Sequence, residues 1–313
     1  MTVNYNGSLE EAMKATKLVI FDELNENPVK TPIVFKTVRP AGEDGTERDQ
    51  RPDAVNHMRY AHTLGLPELQ QRPLPRYGRA IIVGGAPSIQ SELDNIRELS
   101  KDPNNAIFAI NWSHTWLLQN GIIPHYCVFF EIDAEPDTVL KNAHPDVNYY
   151  ICSHCHERTF DMLKDYKRVL WHSIPNSPDE HECHNELFPE SSMVGGGIGT
   201  FTRTLSIALF LGFRNLDLFG CDSSFPDDGI THADGYETPV TASKDGFYVY
   251  ARHDVTGNVR RFRTLGYLAL QVEEFKEYCL CNHQIFTCRV HGDSLLRFTH
   301  ESTYPDQYAV NGL

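Results

Sequence analysis

From Arg79 onward, short apolar runs alternate with stretches of helical periodicity. Ala80 to Val83, Ala106 to Ile110, Tyr126 to Ile132, Asn148 to Cys152, Arg168 to Trp171 and Leu216 to Phe219 read as about six strands. They are apolar almost throughout rather than alternating, which marks strands covered on both faces. Helical patterns fill the gaps: Ser88 to about Leu99, Asn111 to Asn120, and Ile198 to Phe213. This alternation predicts an α/β fold, a Rossmann-like parallel sheet with helices on both faces. Further on, Leu265 to Tyr278 reads as a helix, Gln284 to Val290 as a last strand and Leu296 to Leu313 as a surface tail.

The first 77 residues have a different rhythm. Ser8 to Glu26 carries a helical pattern with Ser8 as N-cap and Glu11 completing a capping box. A strand-like piece, Pro32 to Val38, a charged loop, Pro40 to Asp53, and a short helix, Asn56 to Leu64, come next, before a proline-bearing linker from Pro67 to Arg76. The expected organisation is an N-terminal extension, residues 1–77, a Rossmann-like core, 78–225, and a lid segment with a closing helix and strand, 226–313.

In parallel sheets ligands meet the carboxyl ends of strands, so those ends are where chemistry is sought. After the first strand stand Gly84, Gly85, Pro87 and Ser88: the glycines permit close approach to the backbone, and the serine offers a hydroxyl or a cap. The spacing is not GxGxxG, so the dinucleotide fingerprint is absent. Asn111 follows the second strand, Glu131 and Asp133 the third, with Asp133 nearer the edge, and Gly220 and Asp222 follow the last. Gly195, Gly196 and Gly197 precede a helix, whose free N–H groups and dipole favour an anion. Each position alone is equally served by a cap or turn; their recurrence on one edge favours a ligand site.

Composition narrows the class. Of 313 residues, 41% are hydrophobic and 22% charged, as in globular domains, and the net charge of −14 argues against broad nonspecific nucleic-acid binding. No apolar run is long enough to span a bilayer, and the first thirty residues lack a basic-then-apolar signal pattern. Eight cysteines without regular spacing suggest reduced thiols; a cytoplasmic protein with no membrane partner is expected.

The segments IIVGGAPSI, FAINWSHTWLLQNGIIPHYCVFFEID and GGGIGTFTRTLSIALFLGFRNLDLFGCDSSF together resemble the 6-hydroxymethylpterin diphosphokinase MptE-like family. They are also similar to bacterial sialyltransferases that use a CMP-activated sugar. The resemblance covers roughly Arg79 to Phe225, with Gly121 and Pro124 in the expected places before a strand, and Gly85 stands where the family pattern has Asn. It implies that Gly84, Gly85, Pro87 and Ser88 lie beside nucleotide phosphates and Asn111 near base or ribose. Gly196, Gly197, Gly220 and Asp222 would line the same crevice. It also implies that His232, after the GxD motif, is a general base, a role that suits a histidine near neutrality.

The resulting expectation is a nucleotide-dependent transferase. Glycosyl transfer from a nucleotide sugar to an acceptor hydroxyl, on a glycan, a metabolite or a modified base in nucleic acid, is favoured, with His232 or Asp133 as base. Diphosphoryl transfer from ATP is the alternative, with Mg2+ on Asp133 and Asp222, and a non-catalytic nucleotide-binding module is a third reading. Tyr236 is a lid candidate, and Arg260 and Arg261, with Arg252 and Arg263, form a basic patch suited to an acceptor. Cys152, Cys155, Cys183 and His184 have spacing that a zinc site would accept, although Cys152 ends a strand and should point into the core.

Overall fold

The computed structural model describes residues 18–20, 51–132, 140–197, 199–235 and 246–308. In chain order its strands are β1 (Leu18–Ile20), β2 (Arg79–Val83), β3 (Ala106–Ile110), β4 (Tyr126–Phe129), β5 (Asn148–Cys152), β6 (Lys167–Ser173), β7 (Met193–Val194), β8 (Asn215–Phe219), β9 (Phe247–Arg252), β10 (Val259–Thr264) and β11 (Thr287–Val290). The helices are α1 (Arg51–Thr63), α2 (Leu93–Leu99), α3 (Ser113–Gln119), α4 (Glu157–Met162), α5 (Pro178–Leu187), α6 (Thr200–Phe210), α7 (Gly266–Asn282) and α8 (Leu295–Thr303).

Eight strands form the main sheet in the order β11-β8-β2-β3-β4-β5-β6-β7, with parallel pairing at each step from β2 to β7. The expected parallel α/β sheet is present, larger than the six strands read from the sequence. Its central strands are apolar because nothing in them faces water: Ala80 to Val83 and Cys127 to Phe129 are completely buried.

The chain divides into two compact units, each discontinuous in sequence. One comprises Arg39–Gly84 and Asp94–Asp217. Its centre is aromatic: Phe108, Phe129, Tyr149 and Trp171 are fully buried, and Phe108 stacks on Tyr126 with ring centroids 4.6 Å apart. Burial of each such ring stabilises by about 1.5–3 kcal/mol. α6 is buried from Phe201 to Ala208 on all sides, and its Thr202 and Thr204 hydroxyls turn onto backbone carbonyls.

The other unit comprises Met1–Val38, Gly85–Leu93 and Leu218–Leu313. It contains a second, antiparallel sheet of order β1-β9-β10. β9 and β10 are a hairpin in which Val249, Ala251, Phe262 and Thr264 face inward, alternating with outward residues. Two expectations fail in this unit. Leu18–Ile20, assigned to a helix, is a strand antiparallel to β9. Pairing with β9 overrides the helical periodicity. The expected surface tail is α8, capped by the Ser294 hydroxyl accepting from Arg297 N–H at 3.2 Å, with Leu295, Leu296 and Phe298 buried. The remainder of the helix expected over Ser8 to Glu26, the strand at 32–38 and the loop residues 40–50 lie outside the described residues, whereas Arg51 to Asp53 already belong to α1.

Candidate functional site

β8 ends at Gly220, whose φ of 60° turns the chain, and Ser223 follows at φ 51°. This sharp exit brings the strand end against the loop 85–88. Ala86 N–H donates to Gly220 O at 3.0 Å, and the carboxylate of Asp222 receives both donors of Ser88, the backbone N–H at 3.1 Å and the hydroxyl at 2.5 Å. Asp222 is 5% exposed. Burial is the main influence on it, pushing its carboxyl up to about 7, reinforced by the Asp293 and Glu92 carboxylates and opposed by the two Ser88 hydrogen bonds. Asp222 is therefore a structural clasp: it fixes the glycine loop to the end of β8.

A third segment, 291–296, closes on the same pair of loops and carried no signal in the sequence reading. His291 N–H bonds Leu218 O at 2.8 Å and its ring stacks on Phe219 at 4.1 Å. Gly292 lies so close to Ser88 that a Cβ there would come within 2.5 Å of Ser88 Cβ. The first amides of α8 are then consumed locally, Leu295 N–H by Ser224 Oγ at 3.0 Å and Leu296 N–H by Asp222 O at 3.1 Å.

His232 arrives on a fourth segment. Ala233 N–H donates to Gly85 O at 2.9 Å, which docks the histidine's own stretch of chain on the glycine loop, and Thr231 Oγ1 lies 2.9 Å from His232 Nδ1. Burial lowers the imidazole's pKa below its usual value, so the ring is neutral at pH 7 and able to accept a proton. The structure thus brings together Gly85, Pro87, Ser88, Gly220, Asp222 and the segment bearing His232. Arg260 and Arg261 are paired with carboxylates: Arg260 bidentately with Asp293 at 2.7 and 3.0 Å, Arg261 with Asp227 at 3.2 Å. Asp133 and Tyr236 lie outside the described residues.

The remaining candidates belong to the other unit. Gly84 follows β2 directly. Asn111 adopts φ 47°, a left-handed conformation that asparagine tolerates, and its amide is spent on neighbours: Nδ2 donates to Glu131 and Oδ1 accepts from Phe130 N–H at 3.4 Å. Gly196 folds onto the start of α6, where the Thr202 hydroxyl meets the carbonyls of Gly196 and Gly199, each at 2.7 Å, while Gly195 faces Ile174. A Cβ at Gly196 would meet Arg203 N at 2.8 Å, so close packing itself requires glycine there. Arg203, unmarked in the sequence reading, is buried with its guanidinium 4.0 Å from the Phe130 ring centroid.

The four residues of the candidate zinc set all lie among the described residues. Cys152 Sγ lies 3.3 Å from His154 Nδ1, Cys155 Sγ donates to Phe129 O and Cys183 Sγ to Val55 O, so each thiol is engaged by a different neighbour. Among the described residues no group of three or more His, Cys, Asp or Glu side chains has metal-holding geometry. Burial also pushes the Cys152 thiol up to about 12 and raises that of Cys155 well above its usual value.

Fold and strand-end loops define an α/β protein of the parallel-sheet class. The 6-hydroxymethylpterin diphosphokinase MptE-like family model matches residues 60–228, more than half of the chain, and the chain belongs to that family. Among solved structures, the MAf glycosyltransferase from Magnetospirillum magneticum AMB-1 shares the fold with a TM-score of 0.56 at 17% identity; the match covers 83% of this chain and 42% of that one. This chain therefore corresponds to less than half of that protein's length. No curated protein matches the sequence. The coarse class these likenesses support is a nucleotide-related transferase. No helix among the described residues is long and apolar enough to cross a membrane.

Proposed function

We propose that this protein is a glycosyltransferase that moves a sugar from a nucleotide-sugar donor to an acceptor hydroxyl. The observation that carries this reading is the clasp between Asp222 and Ser88. Diphosphoryl transfer from ATP needs carboxylate oxygens presented to Mg2+. Asp222 is buried, gives both oxygens to Ser88, and is half protonated near neutrality. A nucleotide sugar makes no such demand, because its leaving group can be stabilised by backbone and hydroxyl donors.

In this reading the loop 85–88 and the end of β8 receive the donor phosphate, and His232 takes the proton from the acceptor hydroxyl. The acceptor oxygen then forms its bond to the anomeric carbon as the bond to the phosphate oxygen breaks, and the nucleotide leaves with that electron pair. His232→Ala is expected to lower kcat by about 10²–10⁴-fold with donor affinity unchanged. The acid limb of the wild-type pH profile should lie below pH 6.5, following the lowered His232 pKa. Loss of donor affinity in step with kcat would instead make His232 part of the binding surface.

The family description supports a second reading, diphosphoryl transfer from ATP to a hydroxymethyl compound. A thermal-shift screen of nucleotides and nucleotide sugars, with Mg2+ or with EDTA, separates the two. Ligand at a hundredfold excess over Kd adds about 2.7 kcal/mol of apparent stability. A shift with a CMP-, UDP- or GDP-sugar that survives EDTA is the expected result. A shift with ATP alone, abolished by EDTA, overturns the proposal in favour of the diphosphokinase.

A further inference from the structure

The sequence reading placed Arg260 and Arg261 at an acceptor surface, but their partners suggest another task. Consecutive residues of a strand project to opposite faces. From adjacent positions on β10, Arg260 reaches Asp293 on one side and Arg261 reaches Asp227 on the other. Asp293 follows Gly292, the residue pressed against Ser88. Asp227 opens the segment that carries His232.

The grip on Asp227 involves three side chains. Tyr248 O–H donates to Oδ1 at 3.1 Å, Arg261 donates to Oδ2 at 3.2 Å while lying 4.3 Å from the Tyr248 ring centroid, and Arg263 donates to the backbone carbonyl of Asp227 at 2.6 Å. Just before it, Phe225 N–H bonds Arg263 O at 3.0 Å. The far end of the segment is held by Ala233 on Gly85. His232 therefore sits next to one anchor and at the end of a stretch whose other anchor is the hairpin.

We propose that the β9–β10 hairpin is a bracket, in which Arg261 with Tyr248 positions the His232 segment and Arg260 positions the 291–294 loop against Ser88. Both ion pairs are solvent-exposed, and exposed pairs contribute little to global stability, so their effect is local geometry rather than folding. The importance of His232 rests on the glycosyltransfer reading above; the bracket itself does not.

Amide hydrogen exchange on the full chain, without ligand, reads the bracket directly. Arg261→Ala is expected to speed exchange at residues 226–235 about tenfold and leave 292–296 unchanged, and Arg260→Ala to do the reverse. His232 carbethoxylation by diethyl pyrocarbonate, followed by peptide mass spectrometry, should rise severalfold in Arg261→Ala only. Arg261→Lys keeps the charge but loses the planar fork over Tyr248, so a variant that retains the hairpin should still show faster exchange at 226–235. Unchanged exchange at both segments, or equal loosening of both by either variant, overturns the proposal. Once a donor is in hand, Arg261→Ala should lower kcat with little change in donor KM. If exchange responds and no nucleotide sugar turns over, the bracket stands and the glycosyltransfer reading falls.

Discussion

Lowering the pH from about 7 to about 5 is expected to remove several kcal/mol of this protein's stability. His114, His154, His172 and His300 are all at least 96% buried. Burial pushes His154 and His172 down to about 3 and His114 and His300 down to about 4. Three of the four rings have a nitrogen without a hydrogen bond. His114 Nδ1, His154 Nε2 and His172 Nε2 make no hydrogen bond, and the carboxylates facing the last two, Glu180 and Glu68, lie 3.7 and 3.6 Å away. Unfolded, each ring takes a proton near pH 6.5, whereas folded it refuses one until far lower. The unfolded state thus binds more protons throughout the interval, and stability falls as pH falls.

At about pH 5 each of these histidines costs roughly 2 kcal/mol, or about 6 kcal/mol for the three in one unit, against a typical total of about 5–15 kcal/mol. Asp222 works the other way, because its folded pKa of about 7 lies above its unfolded value and protonation relieves a buried charge. Its contribution is fully present only at low pH and is lost as pH rises through about 7, so it returns roughly 2 kcal/mol over the same interval. The histidines win by number. Urea denaturation at the two pH values checks this, and an unchanged or higher midpoint at the lower pH would show that the rings find partners when charged.

What the sequence disclosed follows a physical line. Strands such as Ala80 to Val83 and Asn148 to Cys152 were legible because full burial leaves a continuous apolar run that turns interrupt. The glycine loop and Asp222 were legible as strand ends, though not their mutual bond, since Ser88 and Asp222 lie 134 residues apart. The same distance problem disguised Arg260 and Arg261. Beside Arg252 and Arg263 they read as a cationic patch, and only the fold brings Asp293 and Asp227, 33 and 34 residues away, into reach. Asn111 was singled out for its amide, yet that amide is spent on Glu131 and its backbone sits at a left-handed φ. Gly292 gave no signal at all, because its need for glycine comes from Ser88 and not from its own neighbours.

That last contact supports the second large effect. Gly292→Ala is expected to destabilise the protein by about 3–5 kcal/mol and to abolish the donor-induced thermal shift. Two costs combine. At φ 83° any L side chain is strained, and a Cβ would be driven into Ser88. Ser88 can retreat only by releasing Asp222, which would leave a buried carboxylate without its two donors and free the loop 85–88 from the end of β8. Gly257 provides the control, since it has a similar φ of 71° at the hairpin turn with nothing within 4 Å of a Cβ. Gly257→Ala should lose only the conformational part, about 1–2 kcal/mol, and keep the donor shift. Equal losses from the two variants, or an intact donor shift in Gly292→Ala, would mean that the loop does not depend on Ser88 being clasped.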